Sequence, residues 1–228
     1  MDIDAGDIGS INEIVRTLFG ESAQTVDIVI LLTILTLLPS ILMMLTGFTR
    51  IIIVLSFVRQ ALGMQQTPPN QILIGLALFL TFFVMQPVFS QVYEDAYVPF
   101  TEGEITQEEF LDEAMMPIRE FMFVQVHDTD LNFFISMADH EYIDDESVPN
   151  SILIPAFITS EIKQAMFVGF MIYIPFIVID MIVASTLMSM GMMMLPPAMI
   201  SLPFKVLLFV MIDGWQLIIG SLMTTFTK

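Results

Sequence analysis

Five ionisable side chains stand in or beside stretches that are otherwise apolar: Glu161, Lys163, Asp180, Lys205 and Asp213. Charged groups placed so are costly and face an interior, a partner or a watery cavity. Two chemistries suit them. One is a relay that passes protons. The other is structural pairing, expected here because an unpaired buried charge costs on the order of several kcal/mol. The pairing expected for Lys205 is with Glu161 or Asp213, within one chain or between chains. Catalytic and metal chemistry find no footing. His127 and His140 are thirteen residues apart, without ligand spacing, and there is no cysteine. No Gly-x-Ser-x-Gly, His-Glu-x-x-His or Walker pattern occurs, and "GDIGS" near the start is too short and isolated for a phosphate loop. The expectation is a chain that is not an enzyme and needs no cofactor or metal.

A second pattern is "LMSMGMMMLPPAM", residues 187–199, with six methionines in thirteen positions. It lies in a charge-free run from Met181 to Phe204. Pro196 and Pro197 deny a helix its amide donors, so the run cannot be one helix. Met181–Gly191 spans about 16 Å of helix, and even when traced back to Pro175 the stretch falls short of a hydrocarbon core of about 30 Å. The chain must turn at Gly191–Pro197 and return. Irregular backbone at membrane depth is tolerated only inside protein or against water. Methionine is flexible and polarisable. Several such loops around an axis would form an apolar constriction, a recognised kind of gate. The same residues would serve as ordinary padding between helices.

The elements that must hold these residues follow from composition. The chain has 228 residues, of which 56% are hydrophobic and 14% charged, with a mean hydropathy of +0.81. Soluble domains carry about 25% charged residues, so this is an integral membrane protein or the core of an assembly. Apolar regions run over 26–62, 72–92, 152–190 and 206–226, and 72–92 has no charge at all. Between the pairs, residues 93–150 hold sixteen acids and one base, Arg119, or −15 of the net −18. That insert is solvated, and its charge argues against nucleic acid. Thr106 with Glu109 reads as a capping box. Phe110, Ala114, Ile118, Phe121 and Met122 then recur at helical spacing, with a kink expected at Pro117. A second helix follows, capped by Asp128 or Asp130, with Leu131, Phe134, Ile135 and Ala138 on one face. The apolar stripe, with Phe133, serves either the insert's own core or a neighbouring copy. The acidic start, "MDIDAGDIGSINEIV", has no basic region typical of a secretion signal.

At an offset of 128, "GMQQTPP" (63–69) overlays "GMMMLPP" (191–197). Gly63, Pro68 and Pro69 match Gly191, Pro196 and Pro197, and Gly47 falls opposite Pro175. The expected fold is therefore all-α: two parallel-repeat membrane hairpins with broken helices, 1–92 and 151–228, flanking a small acidic helical insert, 93–150. Arg50, Arg59 and Lys205 near the tips place the tips on the cytoplasmic side and the insert outside, against Lys163 and Arg119. Trp215 in "DGWQ" is expected to anchor packing near a helix end.

The stretches "TGFTRIIIVLSFVRQALGMQQTPPNQILIGLALFLTFFVMQPVF" (46–89), "SEIK", "MMMLPP" and "DGW" (within 154–222) resemble the FliP family of flagellar export-gate proteins. The injectisome relatives share several of these motifs, but the first stretch and "MMMLPP" are more similar to the flagellar branch. The resemblance implies a channel subunit of the inner membrane and flagellar basal body. Several copies assemble with FliQ-like and FliR-like partners, supported by the basal-body ring and largely above the bilayer plane. Unfolded flagellar subunits pass through, driven by the proton-motive force and a cytoplasmic ATPase complex. A methionine gasket closes the pore, and by position it maps to Met190, Met192, Met193 and Met194, with Met188 flanking. Many family members begin with a cleaved signal; without one, insertion would rely on the first apolar segment. The alternatives are an injectisome gate subunit, or a secondary transporter of two parallel repeats with its substrate near Asp180 and Asp213.

Overall fold

In the computed structural model, residues 32–33, 36–37, 39–41, 43–138, 147–192 and 194–227 are described. All secondary structure among them is helical. Within residues 1–42 the described stretches are helical, and the Thr36 hydroxyl donates to the Thr33 carbonyl at 2.8 Å. The elements below belong to residues 43–227.

Helix α1, Phe48–Ala61, is rich in β-branched residues that favour helix only weakly. Burial compensates. Ile51, Val54, Leu55, Val58 and Ala61 are fully buried, at helical spacing, in a core shared with later helices. Helix α2, Asn70–Gln91, passes without interruption through a π-helical turn, Val92–Tyr97, into α3, Val98–Glu102. The 33-residue run Asn70–Glu102 is long and apolar enough to cross a membrane. It therefore continues past residue 92, where the apolar composition ends, and stops at Gly103, whose φ is 76°. The stacked rings of Tyr93 and Tyr97, with centroids 5.3 Å apart, mark the change from apolar to acidic sequence.

The acidic segment folds as α4, Gln107–Gln125, and α5, Asp128–Met137. The capping box is present: the Glu109 amide donates to Thr106 Oγ1 at 3.4 Å and the Thr106 amide to Glu109 Oε2 at 2.7 Å. These bonds hold the Glu109 carboxyl below its ordinary value. Asp128 and Asp130 do not cap α5. His127 occupies that position, and Asp130 turns inward instead. The apolar stripe meets the next helix: Met122, Val126 and Leu131 pack with Ile152, Leu153, Ala156 and Phe157.

That next helix, α6, runs from Asn150 to Ser189. At 40 residues it is about 60 Å long, twice a hydrocarbon core. Pro155 and Pro175 lie inside it without ending it, as apolar helices tolerate when neighbours satisfy the freed groups. This corrects the length argument drawn from Pro175. The turn at Gly191 stands on its own local chemistry. Helices α7, Pro197–Met211, and α8, Gly214–Thr224, are bent by 67° at Asp213.

Helices α1 and α6 approach closely at Gly169. A Cβ there would lie 2.5 Å from Phe57 Cδ2 and 3.0 Å from Phe57 Cβ, an atom fixed to the α1 backbone. Gly169→Ala should force the helices apart and cost about 1–3 kcal/mol, read as a lower thermal midpoint of the detergent-extracted protein. Gly75→Ala, with nothing within 4 Å, is the control. Equal midpoints for the two variants would refute the close contact.

Candidate functional site

Two turns reverse the chain, and their backbones follow one scheme. Helix α1 ends with the Gly63 amide on Gln60 O (2.9 Å) and the Met64 amide on Arg59 O (3.1 Å), with Gly63 at φ 78°. Helix α6 ends with the Gly191 amide on Met188 O (3.1 Å) and the Met192 amide on Leu187 O (3.0 Å), with Gly191 at φ 74°. Both are Schellman endings, which need a left-handed residue that glycine adopts without strain. Pro69 then caps α2, and Pro196 caps α7 with Pro197 at its first position, where a missing amide donor is harmless.

The side chains differ. The first turn exposes Gln65, Gln66 and Thr67, and Met64 packs against the core. Arg59 crosses this turn, donating to Asn70 Oδ1 at 2.5 Å and Pro68 O at 3.2 Å. The second turn exposes methionines. Met190 is 68% exposed and Met194 98%, with Met188 and Met192 also exposed. Met193 lies outside the described residues.

Three polar clusters brace the helices. The most buried centres on Arg50, at 2% exposure, and Glu161, at 0%. Arg50 Nε donates to Glu161 Oε2 at 3.0 Å, and Nη2 donates to Glu161 Oε1 and to Gln125 Oε1 (3.1 Å). Nη1 donates to the carbonyl and hydroxyl of Thr225 at 3.0 and 3.1 Å. The guanidinium lies 4.2 Å from the Phe226 ring centroid, and Gln125 Nε2 donates to Phe226 O at 3.1 Å. The sequence reading treated Arg50 only as a membrane-topology signal. An arginine inside an apolar run is itself the signal of a pair. Gln125 and Thr225 carried no such signal.

In the second cluster Lys205 Nζ donates to Asp180 Oδ2 at 2.6 Å and to Ala61 O at 3.1 Å, and Ser201 Oγ donates to Asp180 Oδ1 at 2.5 Å. Lys205 thus meets Asp180 rather than Glu161 or Asp213. Glu161 is engaged by Arg50, and Asp213 lies exposed at the α7–α8 bend, in no ion pair among the described residues. Asp213 has φ 51°, a conformation that Asp adopts more readily than most residues. Trp215 makes an edge contact with Phe209 at 5.4 Å, near the start of α8. Two of the three cations used to orient the chain, Arg50 and Lys205, are therefore neutralised inside the fold.

The third cluster ties the acidic helices to α6. Lys163 Nζ pairs with Asp130 Oδ1, Ser160 Oγ donates to Asp130 Oδ2 at 2.8 Å, and the His127 amide donates to Ser160 Oγ at 3.0 Å. Burial pushes the Asp130 carboxyl up. The hydrogen bonds from Lys163 and Ser160, and the Lys163 charge, outweigh it and leave the group below its ordinary value. Among the described residues no group of three or more His, Asp or Glu side chains could hold a metal ion.

Residues 31–222 match the FliP family. The chain belongs to the FliP family. It is 54% identical over 203 residues to the flagellar biosynthetic protein FliP of Pectobacterium carotovorum, covering 89% of this chain and 79% of that one. The protein of the same name from Bacillus subtilis is 52% identical over 205 residues, covering 90% and 93%. That from Borreliella burgdorferi is 50% identical over 210 residues, covering 90% and 83%. As a FliP family member the chain is a flagellar biosynthesis component of the export apparatus, a membrane protein and not an enzyme.

Two tests follow from the clusters. Glu161→Ala leaves the Arg50 guanidinium buried without its carboxylate and should cost about 3–5 kcal/mol, whereas the double change Arg50→Met, Glu161→Met should recover much of it. A thermal midpoint for Glu161→Ala equal to the parent's would refute the pair. Asp130 has a folded value below that of an unfolded aspartate, about 3.9. Its contribution is therefore complete above that pH and is lost as pH falls through the folded value. Hydrogen-exchange protection of the α5 amides should drop across that acidic range, and Asp130→Asn should remove the pH dependence. An unchanged profile in the variant would exclude Asp130 as the cause.

Proposed function

We propose that this chain is a pore-forming core subunit of the flagellar type III export gate. Several copies assemble with FliQ-like and FliR-like membrane subunits, within the basal-body ring and the rest of the export apparatus. Unfolded flagellar subunits pass between the copies. Met188, Met190, Met192, Met193 and Met194 form the gasket that closes the passage. The observation that carries this reading is the bare methionine tip at the end of a 40-residue helix. Apolar side chains so presented gain free energy only when another surface covers them, and soft side chains can close on one another and part for an irregular polymer.

The two Gly-Met-x-x-x-Pro-Pro turns are the tips of two hairpins of like orientation, with residues 1–92 and 151–228 as hairpin segments and 93–150 as the insert. The tips face the cytoplasm of the inner membrane and the acidic insert lies on the extracytoplasmic side. Arg59, at the first tip, supports that orientation. The Arg50–Glu161, Lys163–Asp130 and Lys205–Asp180 pairs are structural braces rather than a proton relay. A transporter reading is disfavoured because Asp180 is engaged by Lys205 and Ser201. The relatives named flagellar favour the flagellar gate over the injectisome.

Replacing Met192, Met193 and Met194 together by alanine should leave resting cells leaky to small ions, at least several-fold above the parent, with the subunit still assembled. A membrane that stays ion-tight would overturn the gasket.

A further inference from the structure

Between its polar clamp and its tip the hairpin carries an open apolar groove. Ile182, Val183, Thr186 and Leu187 of α6 face Ile200 and Phe204 of α7 across this groove of about 400 Å³, and Ile182 and Phe204 are themselves exposed. All but Thr186 are apolar, and the Thr186 hydroxyl is turned to the Ile182 carbonyl at 2.8 Å. The groove's walls are apolar and its volume leaves room for methionine side chains. We propose that it is the open-state seat of the gasket: the tip folds back about Gly191 and its methionines leave the pore for this groove. The inference rests on the gasket reading.

Position, chemistry and mechanics support it. Leu187 lines the groove, and its carbonyl also accepts the Met192 amide at 3.0 Å, so the methionine tip begins beside one of the groove's own residues. A methionine leaving the seal otherwise exchanges apolar contact for water; here it finds isoleucine, valine, leucine and phenylalanine. Gly191 is the compliant end, with positive φ and no atom within 4 Å of where a Cβ would stand. The fixed end is the clamp. Lys205 Nζ joins Asp180 of α6 to Ala61 O at the end of α1, with Ser201 on the same carboxylate. Asp180 lies nine residues, about 14 Å of helix, before Ser189.

The test uses whole cells that assemble the complete gate. Val183→Phe and Thr186→Leu fill the groove from α6. Each should keep resting membranes as ion-tight as the parent while export of flagellar subunits falls about tenfold. Parental export from a filled variant recovered in the complex at parental level would overturn the proposal. A second experiment stands if filling prevents assembly. The chain has no cysteine of its own, so Met192→Cys with Val183→Cys reports the folded-back tip. A disulfide within one chain should form under oxidant while export runs, several-fold more than when export is blocked, and locking it should make the membrane leak. A pair that never cross-links during export would overturn the seat. Ion-tightness of the triple alanine variant, by contrast, bears on the gasket itself.

Discussion

A buried guanidinium has five N–H groups to satisfy and no route to water. Around Arg50 all five are met, by Glu161, Gln125 and Thr225, and the cation also lies on the Phe226 ring. Leaving one partner out exposes the rest to the cost of a buried unpaired charge. The requirement therefore brings α1, the end of α4, the first half of α6 and the residues after α8 to one point. The direct bond of Gln125 to Phe226 O closes the ring of contacts.

Two apolar cores meet there. One gathers α1, α2 and the later parts of α6, α7 and α8; the other joins α4 and α5 to the start of α6, and Phe121 packs against both. Helix α6 is the common spine, and its surroundings change along it. Toward Asn150 it is buried by the acidic helices and braced by Asp130 and Arg50. Toward Ser189 it carries exposed methionine, phenylalanine and isoleucine, with a single clamp at Asp180. The helix thus has a polar, well-satisfied end and an end whose apolar side chains are left bare.

Sequence and structure agree where a rule acts within a few residues. The Thr106–Glu109 capping box, the glycine endings at Gly63 and Gly191, the prolines that open α2 and α7, and the apolar stripe of α4 all obey local backbone or periodicity rules. The failures have a common cause too. A length argument that starts at Pro175 fails because a lone proline says nothing about whether neighbours will satisfy the carbonyls it frees. Asp128 and Asp130 looked like caps because their type and place allow it, but Ser160 and Lys163 on another helix offered Asp130 a better use. Lys205 meets Asp180, 25 residues away, and not the expected Glu161 or Asp213, because charge type and spacing alone do not say which acid the packing brings near.

By itself the amino-acid order determined that the chain is helical and apolar, where it reverses, which segment is acidic, and to which family it belongs. Those properties reside in runs of neighbouring residues and in motifs. Only the tertiary structure decided which charge meets which, since Arg50 and Glu161 are 111 residues apart and no local rule spans that distance. It also decided that α6 is one helix, and that the methionine tip stands bare beyond an open apolar groove. Packing between distant segments sets both, through which backbone groups are satisfied and which apolar surfaces are left uncovered.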